Sequence, residues 1–180
     1  MFDAYALLHL PRLPWLKSDD VRAAFQSRAA EVHPDRAGEP ADFAELTRAY
    51  ETLREPASRL RHWLALEYPT AALPSGVPAD LIPWFPQVAA QLQALKQAAQ
   101  RKTAATSPLA RALAMEVLRP AEILLRELEA VQESAHARIR ELGAVLPGEG
   151  VAELAALTGK LVFLEKWTAQ LSEGVIVLRM

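Results

Sequence analysis

The sequence predicts an all-α protein with two unlike helical parts. Apolar residues recur at spacings of three and four along most of the chain, and no stretch of any length alternates as a strand does. Between residues 69 and 86, five of eighteen residues are proline, which a continuous helix could not accommodate. We therefore predict an N-terminal domain at 1–68, a proline-rich linker at 69–86 and a C-terminal three-helix bundle at 87–180.

Composition narrows the possible functions. The chain has 180 residues, of which 51% are hydrophobic and 23% charged, with a net charge of -2, as in an ordinary globular protein. Its Lys and Arg residues are dispersed, whereas nucleic-acid binding needs a concentrated basic face. The lack of cysteine excludes disulfides and thiolate chemistry in this chain. No signal sequence or membrane segment is recognised, so we expect a soluble cytoplasmic protein with no cofactor.

The N-terminal part predicts short helices around a longer antiparallel pair. The first is "YALLHL", and the second begins at Ser18, whose hydroxyl is expected to cap it. Because Pro34 disfavours the helical conformation for the residue before it, this second helix should end by Val32. A third helix is predicted at about 42–54, and Pro56 suits the first turn of a fourth.

The C-terminal part predicts longer helices. The first spans about 86–101, and the next about 108–142, where Pro120 must kink or divide it. The last, about 151–173, carries a heptad seam whose one polar member is Thr168. The five residues "GVIVL" at 174–178 could form a short extended tail. The apolar members of the seam are Leu154, Leu157, Leu161, Leu164 and Leu171.

The tripeptide His33-Pro34-Asp35 at the end of the second helix allows three interpretations. Catalysis is disfavoured, because adjacent positions around a proline seldom bring a His and an Asp side chain together, and no nucleophile motif accompanies them. A metal site is disfavoured because no histidine pair has ligand spacing. The tripeptide could also be a simple helix stop. The remaining histidines are isolated along the chain: His9, His62 and His136.

The surroundings of the tripeptide resemble a J domain, the module of the DnaJ family of co-chaperones. The resemblance covers residues 4 to about 66 and includes "YALLHLP", "VRAAFQSRAAEVHPDR" and "AYETLREP". It implies that the loop docks on a DnaK-type heat-shock chaperone and stimulates its ATP hydrolysis. Two positions depart from the usual basic helix face, Gln26 and Glu31, and His9 stands where glycine is common. The residues implied to bind the chaperone are His33, Pro34, Asp35, Arg22, Arg28 and Arg36.

The whole chain resembles the HscB family, J proteins of iron-sulfur cluster assembly. The segments that carry this resemblance are "LPRLPWLKSDDVRAAFQ", "RLRHWLAL" and "GKLVFLEKWTAQL". It implies a DnaK- or HscA-type partner, an IscU-like scaffold protein as client, and no enzymatic activity in this chain. Two alternatives remain: an adaptor whose bundle binds an unrelated partner, and a J-like protein that has lost chaperone stimulation. Four residues are implied to form the client surface, although they could instead join the two domains: Trp84, Phe85, Val88 and Phe163.

Overall fold

The computed structural model describes residues 2–32, 40–144 and 150–180, and these are helical with connecting turns and no strand. The predicted fold class is therefore confirmed. No helix in these ranges is long and apolar enough to cross a membrane. The helices are α1 Ala4–Leu7, α2 Ser18–Glu31, α3 Pro40–Arg54, α4 Pro56–Glu67, α5 Trp84–Ala104, α6 Pro108–Met115, α7 Leu118–Ala144 and α8 Val151–Arg179, with a 3-10 turn at Ala79–Leu81.

The chain forms two compact units that do not follow the order of the sequence. The first contains Met1–Ser75 together with His136–Gly159, and the second contains Gly76–Ala135 together with Lys160–Met180. Helices α7 and α8 therefore contribute residues to both. The limits 1–68, 69–86 and 87–180 remain a prediction about how the chain is organised in sequence.

The first unit begins with a well-capped short helix. The carboxylate of Asp3 accepts hydrogen bonds from the backbone N–H groups of Tyr5, at 3.0 Å, and Ala6, at 3.2 Å. His9 follows with φ of 54°, a left-handed conformation that histidine tolerates better than most residues. A residue other than glycine thus makes the turn after α1.

Helix α2 starts and ends where the sequence predicts, but its cap differs. Ser18 is already the first helical residue, and Lys17 occupies the capping position with no side-chain hydrogen bond. The predicted hydroxyl cap is therefore wrong. Asp19 and Asp20 lie in the first turn, where the helix dipole favours negative charge and supplies part of the missing stabilisation.

A buried arginine stabilises the core of the first unit. The side chain of Arg59 has 0% exposure, and its Nη1 donates a hydrogen bond of 2.8 Å to the carbonyl oxygen of Leu53, in the last turn of α3. A cation at the carboxyl end of a helix pairs with its exposed carbonyl groups and its dipole. Tyr5 donates its hydroxyl to the carbonyl oxygens of Leu13, at 3.1 Å, and of Arg59, at 3.4 Å. These bonds tie α1, α3 and α4 together.

The connection between α1 and α2 packs against the end of α7 within the same unit. The Trp15 ring lies 4.8 Å from that of His136, and the guanidinium of Arg140 lies 5.1 Å from the Trp15 centroid. A Cβ on Gly143 would stand 2.8 Å from Cγ of Pro14, so this close approach requires glycine. Arg138 joins α7 to α8 through Glu153, with N to O distances of 2.6 and 2.9 Å.

The second unit buries one apolar core between α5, α7 and α8, with α6 packed on α5. The predicted helix at 108–142 is divided, as its proline requires. The break falls at Glu116 and Val117, because Pro120 has no N–H to bond the carbonyl four residues earlier. Pro120 then lies in the first turn of α7, where that N–H would be free in any case. The buried residues are Leu81, Val88, Leu95, Ala98, Ala121, Leu124, Leu128, Leu164, Trp167, Leu171, Val175 and Leu178.

Helix α8 extends to Arg179, so the predicted extended tail at 174–178 is wrong. Burial overrides the low helix propensity of its β-branched residues, because Val175 and Leu178 both enter the core. Gly174 lies in close contact with α5: a Cβ there would lie 2.9 Å from Cδ1 of Leu95, so that side chain would have to shift.

Candidate binding surfaces

The exposed face of α2 is less basic than its arginine count suggests. Arg22 lies 3.7 Å from Asp19, and Arg28 forms an ion pair with Glu31. Arg28 also donates its Nε to the carbonyl oxygen of Leu7, at 3.4 Å, and its side chain is only 25% exposed. The two arginines differ by six positions, so they point about 120° apart around the helix axis. Each cation thus has an internal carboxylate partner.

The tripeptide follows α2 directly. Val32 caps α2 at its carboxyl end, and its N–H donates to the carbonyl oxygen of Arg28 at 3.1 Å. His33, Pro34, Asp35 and Arg36 lie outside the described residues. Their predicted role as a chaperone-binding loop therefore stays a prediction, positioned by sequence immediately after the helix end.

Three aromatic rings meet where α5 and α8 pack in the second unit. Phe85 lies 4.7 Å from Trp167 with the ring planes at 88°, and 5.7 Å from Phe163 at 63°. Phe163 and Trp167 are 5.8 Å apart. Edge-to-face arrangements of this kind are favourable because the positive edge of one ring faces the negative face of the next. We call Phe85, Phe163 and Trp167 the aromatic cluster.

The aromatic cluster reaches the surface on one side. Phe85 is 36% exposed, and Ile82, in the turn before α5, is 58% exposed. Beside them, Nζ of Lys160 lies 2.6 Å from a carboxylate oxygen of Asp80, which ties this turn to α8. The arrangement is an apolar surface bordered by a paired cation and anion, of a kind that suits binding to another protein.

The four residues predicted for the client surface separate into two groups. Phe85 and Phe163 come together in the aromatic cluster, and their role toward a client stays a prediction. Val88 is 2% exposed and belongs to the core, and Trp84 is partly buried against that core. The sequence reasoning missed Trp167 and Ile82. The signal for Trp167 was available, since "FLEKW" places it one helical turn after Phe163.

The histidines of the described residues occupy structural positions. Nε2 of His62 accepts a hydrogen bond of 3.1 Å from the N–H of Ala4, and its ring lies 5.9 Å from that of Tyr5 in a stacked arrangement. Burial lowers the pKa of His62, and Arg12 acts in the same direction, whereas Asp3 opposes both. Among the described residues, no group of three His, Cys, Asp or Glu side chains could hold a metal ion.

Asp3 combines two tasks beside this histidine. Burial disfavours its charged form, but hydrogen bonds from Arg12 and from the N–H groups of Ala6 and Tyr5 outweigh that effect and hold the pKa of Asp3 below its usual value. Arg12 donates from Nε to this carboxylate at 3.0 Å and also approaches Glu67 at 3.4 Å. The ionised carboxylate therefore caps α1 and fixes the segment that follows it.

Comparison with known proteins identifies the N-terminal part. Residues 3–62 match the family model of the DnaJ domain. Chaperone protein dnaJ A6 of Oryza sativa subsp. japonica is 36% identical over 55 residues, which are 31% of this chain and 13% of that protein. A DnaJ protein homolog of Cucumis sativus is 44% identical over 41 residues, 23% of this chain and 10% of the relative. The chain thus spans only a small part of these relatives.

Structural comparison extends the similarity to the whole chain. Chaperone HscB from Vibrio cholerae aligns with a TM-score of 0.56 and 19% sequence identity, covering 95% of this chain and 96% of that one. The predicted similarity to the DnaJ family and to the HscB fold is confirmed.

Proposed function

Since residues 3–62 are a DnaJ domain within a chain of HscB-like fold, we propose that this protein is a co-chaperone of a DnaK- or HscA-type heat-shock chaperone. Its J domain binds the chaperone and stimulates ATP hydrolysis there, and this chain performs no chemistry itself. The observation that carries the proposal is that the matched region contains the His33-Pro34-Asp35 tripeptide directly after α2. A cytoplasmic location remains a prediction.

The chemistry of the tripeptide suits a contact loop. Pro34 restricts the backbone, so that less conformational entropy is lost on docking. Asp35 offers a carboxylate to a guanidinium of the chaperone, and charge-assisted bonds of this kind are stronger than neutral ones. Arg22, Arg28 and Arg36 are the cations proposed to steer the encounter, which affects the association rate more than the final affinity.

The ATPase test uses the full chain with a DnaK-type chaperone. We expect the wild type to raise the single-turnover rate of ATP hydrolysis and His33→Gln to abolish the increase. His9→Asn is the matched control, because it changes an exposed histidine of the same domain to a residue that also tolerates the left-handed conformation. An unstimulated chaperone with the wild-type chain, or equal stimulation by His33→Gln, would refute the proposal.

We propose further that the C-terminal bundle presents a client, an IscU-like iron-sulfur scaffold protein, through the aromatic cluster. The exposure of Phe85 and Ile82 supports this proposal, because a cluster of rings open on one side is a common centre for protein binding. Trp84 and Val88 lie beneath this surface and hold the start of α5 in place. Phe163 completes the surface from α8.

Binding of a purified IscU-like scaffold to the full chain, followed by calorimetry, tests the client. We expect Phe85→Ser to weaken binding by about tenfold or more, as for a residue at an interface centre. Ile176→Ser is the control, since it removes an exposed aliphatic side chain of α8 that lies outside the aromatic cluster. Failure of the wild type to bind excludes the scaffold and leaves the J-domain proposal intact.

One observation favours a second candidate, a J-like protein that has lost chaperone stimulation. Asp19 and Glu31 neutralise Arg22 and Arg28 within α2, which reduces the field available to steer a chaperone. The variant Glu31→Gln distinguishes the two candidates. If it raises stimulation, the J domain is active and electrostatically weakened; if the wild type and this variant are both inactive, the function has been lost. A third candidate, an adaptor with an unrelated partner, requires stimulation without scaffold binding.

A further inference from the structure

A shallow groove runs along the surface between α5 and α7 in the second unit. Its volume is about 670 Å³, and α5 forms one wall through Gln87 and Gln91. Both amides are held by backbone oxygens: Gln87 donates to the carbonyl of Pro83 at 3.3 Å, and Gln91 to that of Val117 at 3.2 Å. Both amides therefore have a hydrogen-bond partner within the chain. The floor and opposite wall belong to α7 and to the residue that caps the end of α6: Glu116, Arg119, Pro120, Ile123, Leu124 and Glu127.

The α7 side of this groove has an ordered pattern of charge. Ile123 is 43% exposed, Arg119 lies four residues before it and Glu127 four residues after it. These spacings place all three on one stripe of the helix. Within the described part of the chain, neither Arg119 nor Glu127 forms an ion pair. The stripe therefore presents a cation, an apolar centre and an anion that are all available to a partner.

The charges of this stripe are complementary to those of a second, antiparallel copy of the same stripe. If two copies of α7 meet antiparallel with Ile123 against Ile123, each Arg119 faces the Glu127 of the other copy, because both are four residues from the centre. A two-fold axis requires this reciprocal relationship, in which residue i contacts j and j contacts i. In a parallel pairing, by contrast, like charges would meet.

We propose that this stripe is a self-association surface, at which two copies of the chain pair through antiparallel α7 helices. Ile123 lies at the two-fold axis with Pro120 and Leu124 beside it, and two reciprocal Arg119–Glu127 ion pairs set the register. The two α5 helices lie on either side of the α7 pair, so that four helices pack together. The surface is small, so the dimer is weak and forms at high protein concentration.

Sedimentation equilibrium of the full chain at several concentrations tests the pairing. We expect a monomer–dimer equilibrium that Ile123→Ser weakens and that Arg119→Glu or Glu127→Arg weakens by about tenfold, since each reversal replaces two attractions by two repulsions. Each single variant should stay monomeric under conditions where the wild type dimerises. Glu129→Arg is the matched control, because it makes the same charge change on the same helix away from the stripe.

The reciprocal geometry gives two rescue experiments. The double variant Arg119→Glu with Glu127→Arg should dimerise again, and a mixture of the two single variants should form a heterodimer, because all four facing charges are then opposite in sign. Circular dichroism confirms that each variant is folded. A wild type that remains monomeric up to about 1 mM, a Glu129→Arg effect equal to that of Glu127→Arg, or failure of both rescues would each overturn the proposal.

Discussion

The imidazole Nε2 of His62 on α4 accepts the backbone N–H of Ala4, the first residue of α1, at a distance of 3.1 Å. A protonated imidazole has no acceptor atom, so this bond exists only with neutral histidine. The attachment of α1 to α4 is thus linked to a proton equilibrium.

Stability should depend on pH through His62. Burial lowers its pKa in the folded state below the ordinary value of 6.5, so the unfolded chain binds the proton more tightly. The contribution of His62 to stability is complete above about pH 6.5, decreases as the pH falls from there through the folded-state pKa, and is constant below it. Urea unfolding from pH 7.5 to pH 5 should show this decrease, and His62→Gln should reduce the slope. An unchanged slope would contradict the assignment.

Removal of the buried guanidinium should destabilise the first unit. Arg59→Met leaves the carbonyl of Leu53 without its hydrogen bond in an apolar setting, which costs about 1–3 kcal/mol. Arg61→Met, on the exposed side of the same helix, should change the free energy of unfolding by less than about 0.5 kcal/mol. Chemical denaturation of both variants tests the difference. Equal effects would mean that Arg59 acts through helix propensity or general charge.

Alanine substitutions at two glycines of α8 should have different effects on stability. A Cβ on Gly159 would lie 3.5 Å from Cγ of Pro74, an ordinary contact, so Gly159→Ala should gain about 0.5–1 kcal/mol from helix propensity. At Gly174 the added Cβ would stand 2.9 Å from Cδ1 of Leu95, and the buried leucine must move. Gly174→Ala should therefore be the less stable variant in thermal unfolding. The reverse order would show that α5 and α8 are not in close contact there.

Within the aromatic cluster, Trp167 should contribute mainly to stability and Phe85 mainly to the proposed binding. Trp167 is buried, so Trp167→Ala should cost about 3–5 kcal/mol and loosen the support under Phe85. Phe85→Ala should cost clearly less, because that ring is partly exposed. Differential scanning calorimetry compares the two. A larger loss with Phe85→Ala would mean that the ring serves the fold rather than the proposed client surface.

The sequence predicts most helix boundaries because the signals there are local. Pro34 and Pro56 restrict the backbone wherever they occur, and α2 and α4 end and begin beside them. Local signals fail for the "GVIVL" segment, because its helical state comes from burial of Val175 and Leu178, which depends on the distant helix α5.

Local reasoning is weaker for the binding surfaces. The resemblance implies a client role for Phe85 and Phe163, which stays a prediction, and it could not show that Val88 points into the core or that Trp167 joins the cluster. The ion pairs of Arg22 and Arg28 follow spacings of three residues, and these could have been recognised from the sequence. The burial of Arg59 could not, because it depends on the meeting of α3, α4 and Trp15.

The contact between Trp15 and α7 has a consequence for the independence of the J domain. A fragment ending at Ser75 would keep α1 to α4 but would uncover the faces of Pro14 and Trp15 that now rest on His136, Arg140 and Gly143. We therefore expect that in this chain the end of the J domain, as drawn by homology, is not a boundary of cooperative folding. Moving the J domain into another protein would therefore require redesign of the loop that carries Pro14 and Trp15. The residues of α7 that cover this loop lie outside the domain as the family defines it.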